Sequence, residues 1–251
     1  MDRATEATSN KVAEVTFLFW VIKIFATTLG ETGGDALSMT MNLGYAVSSA
    51  IFGLFFLGAV AAQVKSRGFH PALYWIVIIA TTTVGTTMAD FADRSLGIGY
   101  LGGSLALLAF LVVTLVTWRV ALGSVAFDHI TSPKAEYFYW LTILFSNTLG
   151  TALGDFFADD SGLGFLGAAA VFAGALILVT AAYFFTNLSR VLLFWAAFIL
   201  TRPLGATLGD LLTKSPEAGG LNLSRIGSSA IIALAMIGLI LLSVRKSKST
   251  A

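Results

Sequence analysis

Four aspartates recur at the same place in four related segments of the sequence, and carboxylates grouped in this way could bind a cation. The segments align without gaps as FWVIKIFATTLGETGGD (19–35), YWIVIIATTTVGTTMAD (74–90), YWLTILFSNTLGTALGD (139–155) and FWAAFILTRPLGATLGD (194–210). The four acids are Asp35, Asp90, Asp155 and Asp210. An aspartate at the C-terminal end of a helix opposes the helix dipole. A choice repeated four times against that cost favours a functional acidic ring or vestibule.

Two further observations bear on this interpretation. Glu31 lies four residues before Asp35, and Asp159 four residues after Asp155, so each pair shares a helix face if the helix continues. Oxygen-rich sites suit hard cations such as Mg²⁺, Ca²⁺ or Mn²⁺. The four recurrent aspartates are therefore the candidate metal ligands, although the sequence contains no coordination-spacing motif.

The alternative interpretation needs no function. Each aspartate would end its helix in solvent and pair with a cation one turn further on, as Asp90 could with Arg94 and Asp210 with Lys214.

Two cations interrupt the apolar stretches in which they stand. Lys23 and Arg202 occur in the first and fourth segments only, where the other copies carry apolar or uncharged polar residues. A charge at the centre of a bilayer costs at least ~2.5–3.5 kcal/mol, so each should face the protein interior and have a partner. They are interpreted either as a buried ion pair or carbonyl-bonded latch, or as a gate, counter-ion or proton-coupling element. Pro203 directly after Arg202 is expected to break or kink that helix.

Hydroxyl and amide side chains stand at a matching depth in all four segments. Thr27, Thr82 and Asn147 are the equivalents of Arg202 in the other three copies. Such a layer predicts either a polar lumen or a central hydrogen-bonded network.

The composition indicates the elements that position these residues. Hydrophobic residues make up 57% of the chain and charged residues 12%, with a mean hydropathy of +0.85. Soluble domains carry roughly 25% charged residues, so this is the composition of an integral membrane protein. The sequence has no cysteine, which excludes thiolate metal sites and cysteine nucleophiles. Only His70 and His129 are present, both in polar connections, so a zinc or haem site is not expected.

Eight apolar stretches are long enough to cross a bilayer as helices. They cover about 14–34, 42–63, 71–90, 99–123, 136–155, 162–187, 190–210 and 222–244. Most lysines and arginines lie at the termini or in the even-numbered connections, which places both termini in the cytoplasm. The predicted organisation is a cytoplasmic tail (1–13), repeats 14–66 and 67–123, a linker (124–135), repeats 136–188 and 189–245, and a second tail (246–251). No cleavable signal peptide is expected.

The repeat also carries a tryptophan and a glycine at fixed positions. The tryptophans are Trp20, Trp75, Trp140 and Trp195, and the glycines are Gly30, Gly85, Gly150 and Gly205. The tryptophans are interpreted as an interfacial aromatic belt or as packing residues, and the glycines as close-contact positions. Because each unit holds two spans, all four enter the membrane in the same direction. We therefore predict an all-α ring with pseudo-symmetry about the membrane normal.

These features resemble a known family. The chain is similar, over about residues 14–245, to bacterial integral membrane proteins of unknown function that carry four tandem two-helix repeats, each marked by a tryptophan. The resemblance implies the fold and little about the activity.

The function predicted from the residues is a transporter or channel for a small ion in the bacterial inner membrane, with manganese as the first candidate. An anion or proton-coupled path using Lys23 and Arg202 is one alternative, and a non-transport assembly or sensor protein is another. An enzyme is not expected, because no nucleophile or catalytic constellation stands out. The expected partners are the bilayer and the ion, with oligomerisation possible, and no nucleic acid or bound cofactor is expected beyond the transported cation.

Overall fold

The structure, a computed structural model, describes residues 11–66, 68–128 and 130–249. Most of the predicted first tail, and the predicted placement of His129 in a connection, lie outside the described residues. Within them the chain forms eight long helices and no strand. The helices are α1 (Phe17–Asp35), α2 (Gly44–Lys65), α3 (Pro71–Asp90), α4 (Tyr100–Leu122), α5 (Pro133–Asp155), α6 (Gly164–Phe185), α7 (Arg190–Thr213) and α8 (Arg225–Ser249).

The four odd-numbered helices, which contain the repeated segments, form a closed inner ring. α1 packs against α3, α3 against α5, α5 against α7, and α7 against α1 again. The first and fourth repeats are therefore neighbours, and one chain closes the ring by itself.

The even-numbered helices surround this ring, and each packs mainly on the inner helix of the following repeat. α2 lies on α3, α4 on α5 and α6 on α7, while α8 returns to α1. Contacts between the two helices of one repeat are few. Every repeat thus depends on its neighbour for a packed core, which is typical of tandem arrays.

Six helices in the described part of the chain are long and apolar enough to cross a membrane: α2, α3, α4, α6, α7 and α8. In the apolar stretches of the outer helices only 17–28% of the residues are buried, against 72% in α3 and 61% in α7. Large apolar side chains such as Leu54, Phe184 and Ile231 are at least 70% exposed on the outer helices. An apolar exterior around a polar interior is the arrangement expected of a protein solvated by lipid.

The aspartates mark one end of the ring, which we call the aspartate end, and the described part of the chain begins and ends towards the other, which we call the terminal end. A single π-helical turn follows Asp35, Asp90 and Asp155, at Ala36–Thr40, Phe91–Ser95 and Phe156–Asp160 respectively. Single π-helical turns in helices are frequent at functional sites. In the fourth repeat α7 continues as an α-helix to Thr213.

The structure bears on the expectation that Pro203 breaks or kinks α7. Pro203 does not break this helix, which runs without interruption from Arg190 to Thr213. Pro203 has no amide hydrogen, so the carbonyl of Ile199 four residues earlier lacks its usual helical donor, and the helix continues without that one bond. Neighbouring helices and hydroxyl side chains commonly allow proline inside membrane helices.

Candidate functional site

The repeated glycines bring the four inner helices into contact in a cyclic pattern. A Cβ atom added at Gly30, Gly150 or Gly205 would collide with the next helix at the residue equivalent to Thr27, and one added at Gly85 would lie only 3.0–3.1 Å from the backbone of Thr148 and Asn147. The contacts run from Gly30 to Thr82, Gly85 to Asn147, Gly150 to Arg202 and Gly205 to Thr27. A Cβ at Gly205 would lie 2.9 Å from the backbone carbonyl carbon of Thr27, so a side-chain movement cannot relieve the collision. The glycines therefore set the diameter of the ring by allowing close backbone approach.

Most hydroxyls at this level bond to the backbone instead of lining an open passage. The hydroxyl of Thr27 donates to the carbonyl of Ile24 at 2.8 Å and lies 3.2 Å from that of Thr201 on α7. The hydroxyl of Thr82 likewise contacts the carbonyls of Ile79 and of Ala26 on α1. The polar layer is thus a network that joins adjacent helices.

Arg202 fills the centre of the ring one turn nearer the aspartate end. Its guanidinium Nη2 lies 3.0 Å from the Glu31 carboxylate and donates to the hydroxyls of Thr86 and Thr151 at 2.5 and 2.6 Å. In the repeat alignment these three residues are equivalent to one another and to Ala206. The side chain of Arg202 thus extends by one turn along α7, to the level at which α7 itself carries only the methyl group of Ala206. Both Arg202 and Glu31 are fully buried.

Lys23 is the second buried cation, and its surroundings are different. Its ammonium lies 3.4 Å from Oδ1 of Asn147 and 4.2 Å from the centre of the Phe198 ring. Asn147 in turn donates to the hydroxyl of Thr81 at 2.8 Å. Among the described residues no carboxylate lies within ion-pair distance of Lys23. Both predicted intramembrane cations therefore face the interior, but only Arg202 pairs with an acid.

The four repeated aspartates are buried, not solvated, and they form two ion-paired groups. In the first, Arg94 bridges Asp90 at 2.9 Å and Asp155 at 3.3 Å, which joins the second and third repeats. In the second, Lys214 bridges Asp210 at 3.1 Å and Asp35 at 2.8 Å, which joins the fourth repeat to the first.

The two groups are related by a pseudo-two-fold axis. In the aligned repeats, Lys214 occupies the position of Arg94, four residues after the repeated aspartate. Asp210 and Asp35 in the second group likewise correspond to Asp90 and Asp155 in the first. The two ion pairs within a repeat, Asp90–Arg94 and Asp210–Lys214, are those that the sequence suggests. The pairs to the adjacent repeat require the closed ring.

The second group differs from the first in an additional acid. Glu31, Asp35 and Asp210 each present a carboxylate oxygen, and these oxygens lie within 4.8 Å of one another. Three carboxylates at this separation could bind one hard cation. We call Glu31, Asp35 and Asp210 the carboxylate triad. Oδ1 of Asp35 is buried and has no hydrogen-bond partner among the described residues.

Tethered cations neutralise the carboxylate triad. Arg202 pairs with Glu31, Lys214 with both aspartates, and Nε of Arg225 lies 3.5 Å from Asp35. Burial lowers the pKa of Lys214, but the Asp210 and Asp35 carboxylates outweigh burial and hold that pKa well above its ordinary value. The raised pKa favours the charged form of Lys214 beside the triad.

The remaining predicted residues lie elsewhere. Asp159 is exposed and accepts a hydrogen bond from the hydroxyl of Tyr100 at 3.3 Å. Trp75, Trp140 and Trp195 are buried in the main hydrophobic cluster, with Trp20 partly buried against it. These rings pack between the helices, so the geometry favours the packing interpretation over an interfacial belt.

The sequence interpretation missed three residues of the site. Thr86 and Thr151 could have been found because they occupy the position of Glu31 in the aligned repeats. Arg225 opens α8 and meets Asp35 only because α8 packs on α1, and no local pattern indicates that contact.

Comparison with known families agrees with this architecture. The sequence matches the family described as Repeat of Unknown Function (DUF347) four times, at residues 18–69, 73–123, 138–189 and 193–249. Comparison with curated proteins and with solved structures finds no match. The four matched segments cover the four helix pairs, and the chain therefore belongs to this family of four tandem repeats.

Proposed function

We propose that the protein is a transporter for a small cation, with a divalent metal such as manganese as the first candidate substrate. The carboxylate triad carries the proposal. Its three oxygens converge at a buried point between the first and fourth repeats. Carboxylate oxygen is the ligand type that Mn²⁺ and Mg²⁺ prefer. Hydroxyls near the triad, such as that of Thr86 at 3.3 Å from Glu31, could complete the coordination.

The closed ring and its ion pairs argue for a carrier instead of an open channel. Arg202 and its partners occupy the centre of the ring, so an ion cannot pass while they stay in place. A cation arriving at the triad would compete with Arg202 and Lys214 for the same carboxylates. Binding would release these tethered cations from their acids, and departure of the ion would let them return. Such competition couples occupancy of the site to movement of α7, which carries Arg202.

We further propose eight membrane spans with both termini in the cytoplasm of a bacterial cell. α1 and α5 carry more polar residues than the other helices, but these residues face the ring and not the lipid. Lys23 and Glu31 on α1 and Asn147 on α5 are all fully buried. Enclosure by six apolar helices lets α1 and α5 cross the bilayer at low cost. The distribution of lysine and arginine supports the orientation.

The test is manganese uptake by liposomes that contain the purified protein, preceded by total metal analysis of cells that overexpress it. We compare the wild type with the double variant Asp35→Asn/Asp210→Asn and with Asp160→Asn, which alters an exposed acid outside the triad. We expect uptake by the wild type and by Asp160→Asn, and at least a tenfold loss in the double variant. Equal uptake by all three proteins, or none above empty liposomes, would contradict the proposal.

Lys23 favours a second candidate function, anion or proton-coupled transport. A fully buried ammonium that, among the described residues, has one amide oxygen as its hydrogen-bond acceptor and an aromatic ring beside it has unused capacity to bind an anion or exchange a proton. The same liposomes report on this through chloride flux and internal pH. Anion or proton movement that Lys23→Met abolishes, without manganese movement, would replace the first proposal by the second.

A further inference from the structure

Two segments outside the helices cover the terminal end of the inner ring. Residues 11–16 precede α1, and residues 124–128 and 130–132 precede α5; together we call these residues the terminal cap. The first segment is held by hydrogen bonds to its backbone. The amide of Lys11 donates to the carbonyl of Ile130 at 3.3 Å, and the side-chain amide of Gln63 donates to the carbonyl of Lys11 at 3.1 Å. Val12 is buried in the main hydrophobic cluster.

A buried ion pair connects this segment to the opposite side of the ring. The ammonium of Lys11 lies 2.9 Å from Oε2 of Glu136 and donates to the carbonyl of Val64 at 3.0 Å. Glu136 is in the first turn of α5 and is only 1% exposed. α1 and α5 face each other across the ring, so Lys11 links the first repeat to the third. Through Val64 it also holds the end of α2, which packs on the second repeat.

The other segment of the cap is attached to the fourth repeat. The indole nitrogen of Trp195 on α7 donates to the carbonyl of Val125 at 3.0 Å. The ring of Phe127 stacks on that of Phe194, with centroids 3.7 Å apart. The terminal cap thus contacts the first, third and fourth repeats, and the end of α2 connects it to the second.

An aromatic layer lies directly beneath the cap. The hydroxyls of Tyr74 and Tyr139 are 2.8 Å apart, and both side chains are completely buried. Phe19 and Phe194 occupy the same position in the other two repeats and are also buried. The cap and this aromatic layer therefore cover the terminal end of the inner ring.

We infer that the terminal cap is a gate whose closed position is held by the Lys11–Glu136 ion pair. Opening requires the start of α5 to move away from the segment before α1, and this movement separates Lys11 from Glu136. The gate controls access to the carboxylate triad from the terminal side, and in that respect it rests on the proposed function. The closure itself does not depend on which ion, if any, is carried.

Cysteine labelling tests the gate without any transported ion. The chain has no cysteine, so a single one can be introduced without background. Ser146 on α5 lies at the level of the polar layer, is completely buried, and its hydroxyl has no partner among the described residues. Ser146→Cys replaces that hydroxyl by a group of similar size. The measured quantity is the rate at which a small maleimide applied from the terminal side modifies this cysteine.

We expect slow labelling in the Ser146→Cys background and at least a fivefold faster rate after adding Lys11→Met or Glu136→Gln. Lys11→Arg keeps the charge and should keep the slow rate. Lys134→Met removes an exposed cation two residues before Glu136 and should also leave the rate unchanged. Melting temperatures of all the variants separate gate opening from unfolding, because only an unfolding protein would also lose its cooperative transition.

An unchanged labelling rate in both Lys11→Met and Glu136→Gln would overturn the inference. If manganese uptake persisted in those variants, the proposed function would stand without the gate. Faster labelling in a protein that moves no manganese would leave the gate in place and refute the manganese proposal.

Discussion

The buried pair of Glu31 and Arg202 offers the sharpest test of how the ring is held together. The perturbation is a double-mutant cycle made of Glu31→Gln, Arg202→Met and the two changes combined. Each single change leaves one charge at the centre of the ring without the opposite charge of its partner, whereas the double change removes both charges. Breaking a buried pair by deleting one partner costs more than replacing both partners by neutral groups.

The magnitude follows from the complete burial of both side chains. Removing one partner of a buried pair costs about 3–5 kcal/mol, while replacing both is near neutral. For a chain of this size, roughly 2–4 °C of melting temperature corresponds to each kcal/mol. We therefore expect each single variant to melt about 6–20 °C below the wild type, and the double variant to recover most of that loss.

The assay is thermal unfolding of the purified proteins in one detergent, followed by tryptophan fluorescence. Lys134→Met is the control, because it removes an exposed cation outside the triad and its ion pairs. Surface substitutions of this kind usually change the free energy of unfolding by less than about 0.5 kcal/mol, so this variant should melt within a few degrees of the wild type. Additive losses in the double variant would refute the reasoning, because they would show that Glu31 and Arg202 do not interact.

Three further predictions use the same measurement. Gly30→Ala should lower the free energy of unfolding by about 1–3 kcal/mol through overpacking. Gly33→Ala lies on the same helix, where an added Cβ meets nothing within 4 Å, and should be neutral or slightly stabilising. Equal melting temperatures for the two variants would contradict the close contact at Gly30. Trp195→Phe should cost about 1 kcal/mol because it leaves the Val125 carbonyl without its donor; no change would contradict that bond. Lys214→Met should lower the melting temperature by the same amount at pH 7 and at pH 9. The raised pKa of Lys214 keeps its ammonium charged at both pH values, so its ion pairs contribute equally. A smaller loss at pH 9 would contradict the raised pKa.

The two ion-paired aspartate groups show how the repeats have diverged. Both retain the same bridging geometry, in which a cation one turn after one aspartate reaches the aspartate of the next repeat. Only one group includes an additional acid, Glu31, and an additional cation, Arg202. Among the described residues, the group around Lys214 therefore has the third carboxylate on which the proposed cation site depends.

Much of the architecture could be predicted from the sequence because its signals are local. A run of about 20 apolar residues forms a helix in lipid whatever its neighbours are. Four gapless copies of one segment require four similar units, and buried charges must face the interior. The sequence likewise placed Arg94 one turn after Asp90 and Lys214 one turn after Asp210, where each pair could form within one helix end.

Only the tertiary structure decided which residues meet across the ring. Arg202 pairs with Glu31, and not with an aspartate, because its side chain extends one layer towards the aspartate end into the space beside Ala206. Lys214 reaches Asp35 because the fourth repeat closes onto the first, and Arg225 joins them because each outer helix packs on the next repeat. These contacts join residues far apart in the chain, and the crossing and closure of the helices set their distances. Helical periodicity reports which face of a helix is buried, but it does not report which helix covers that face.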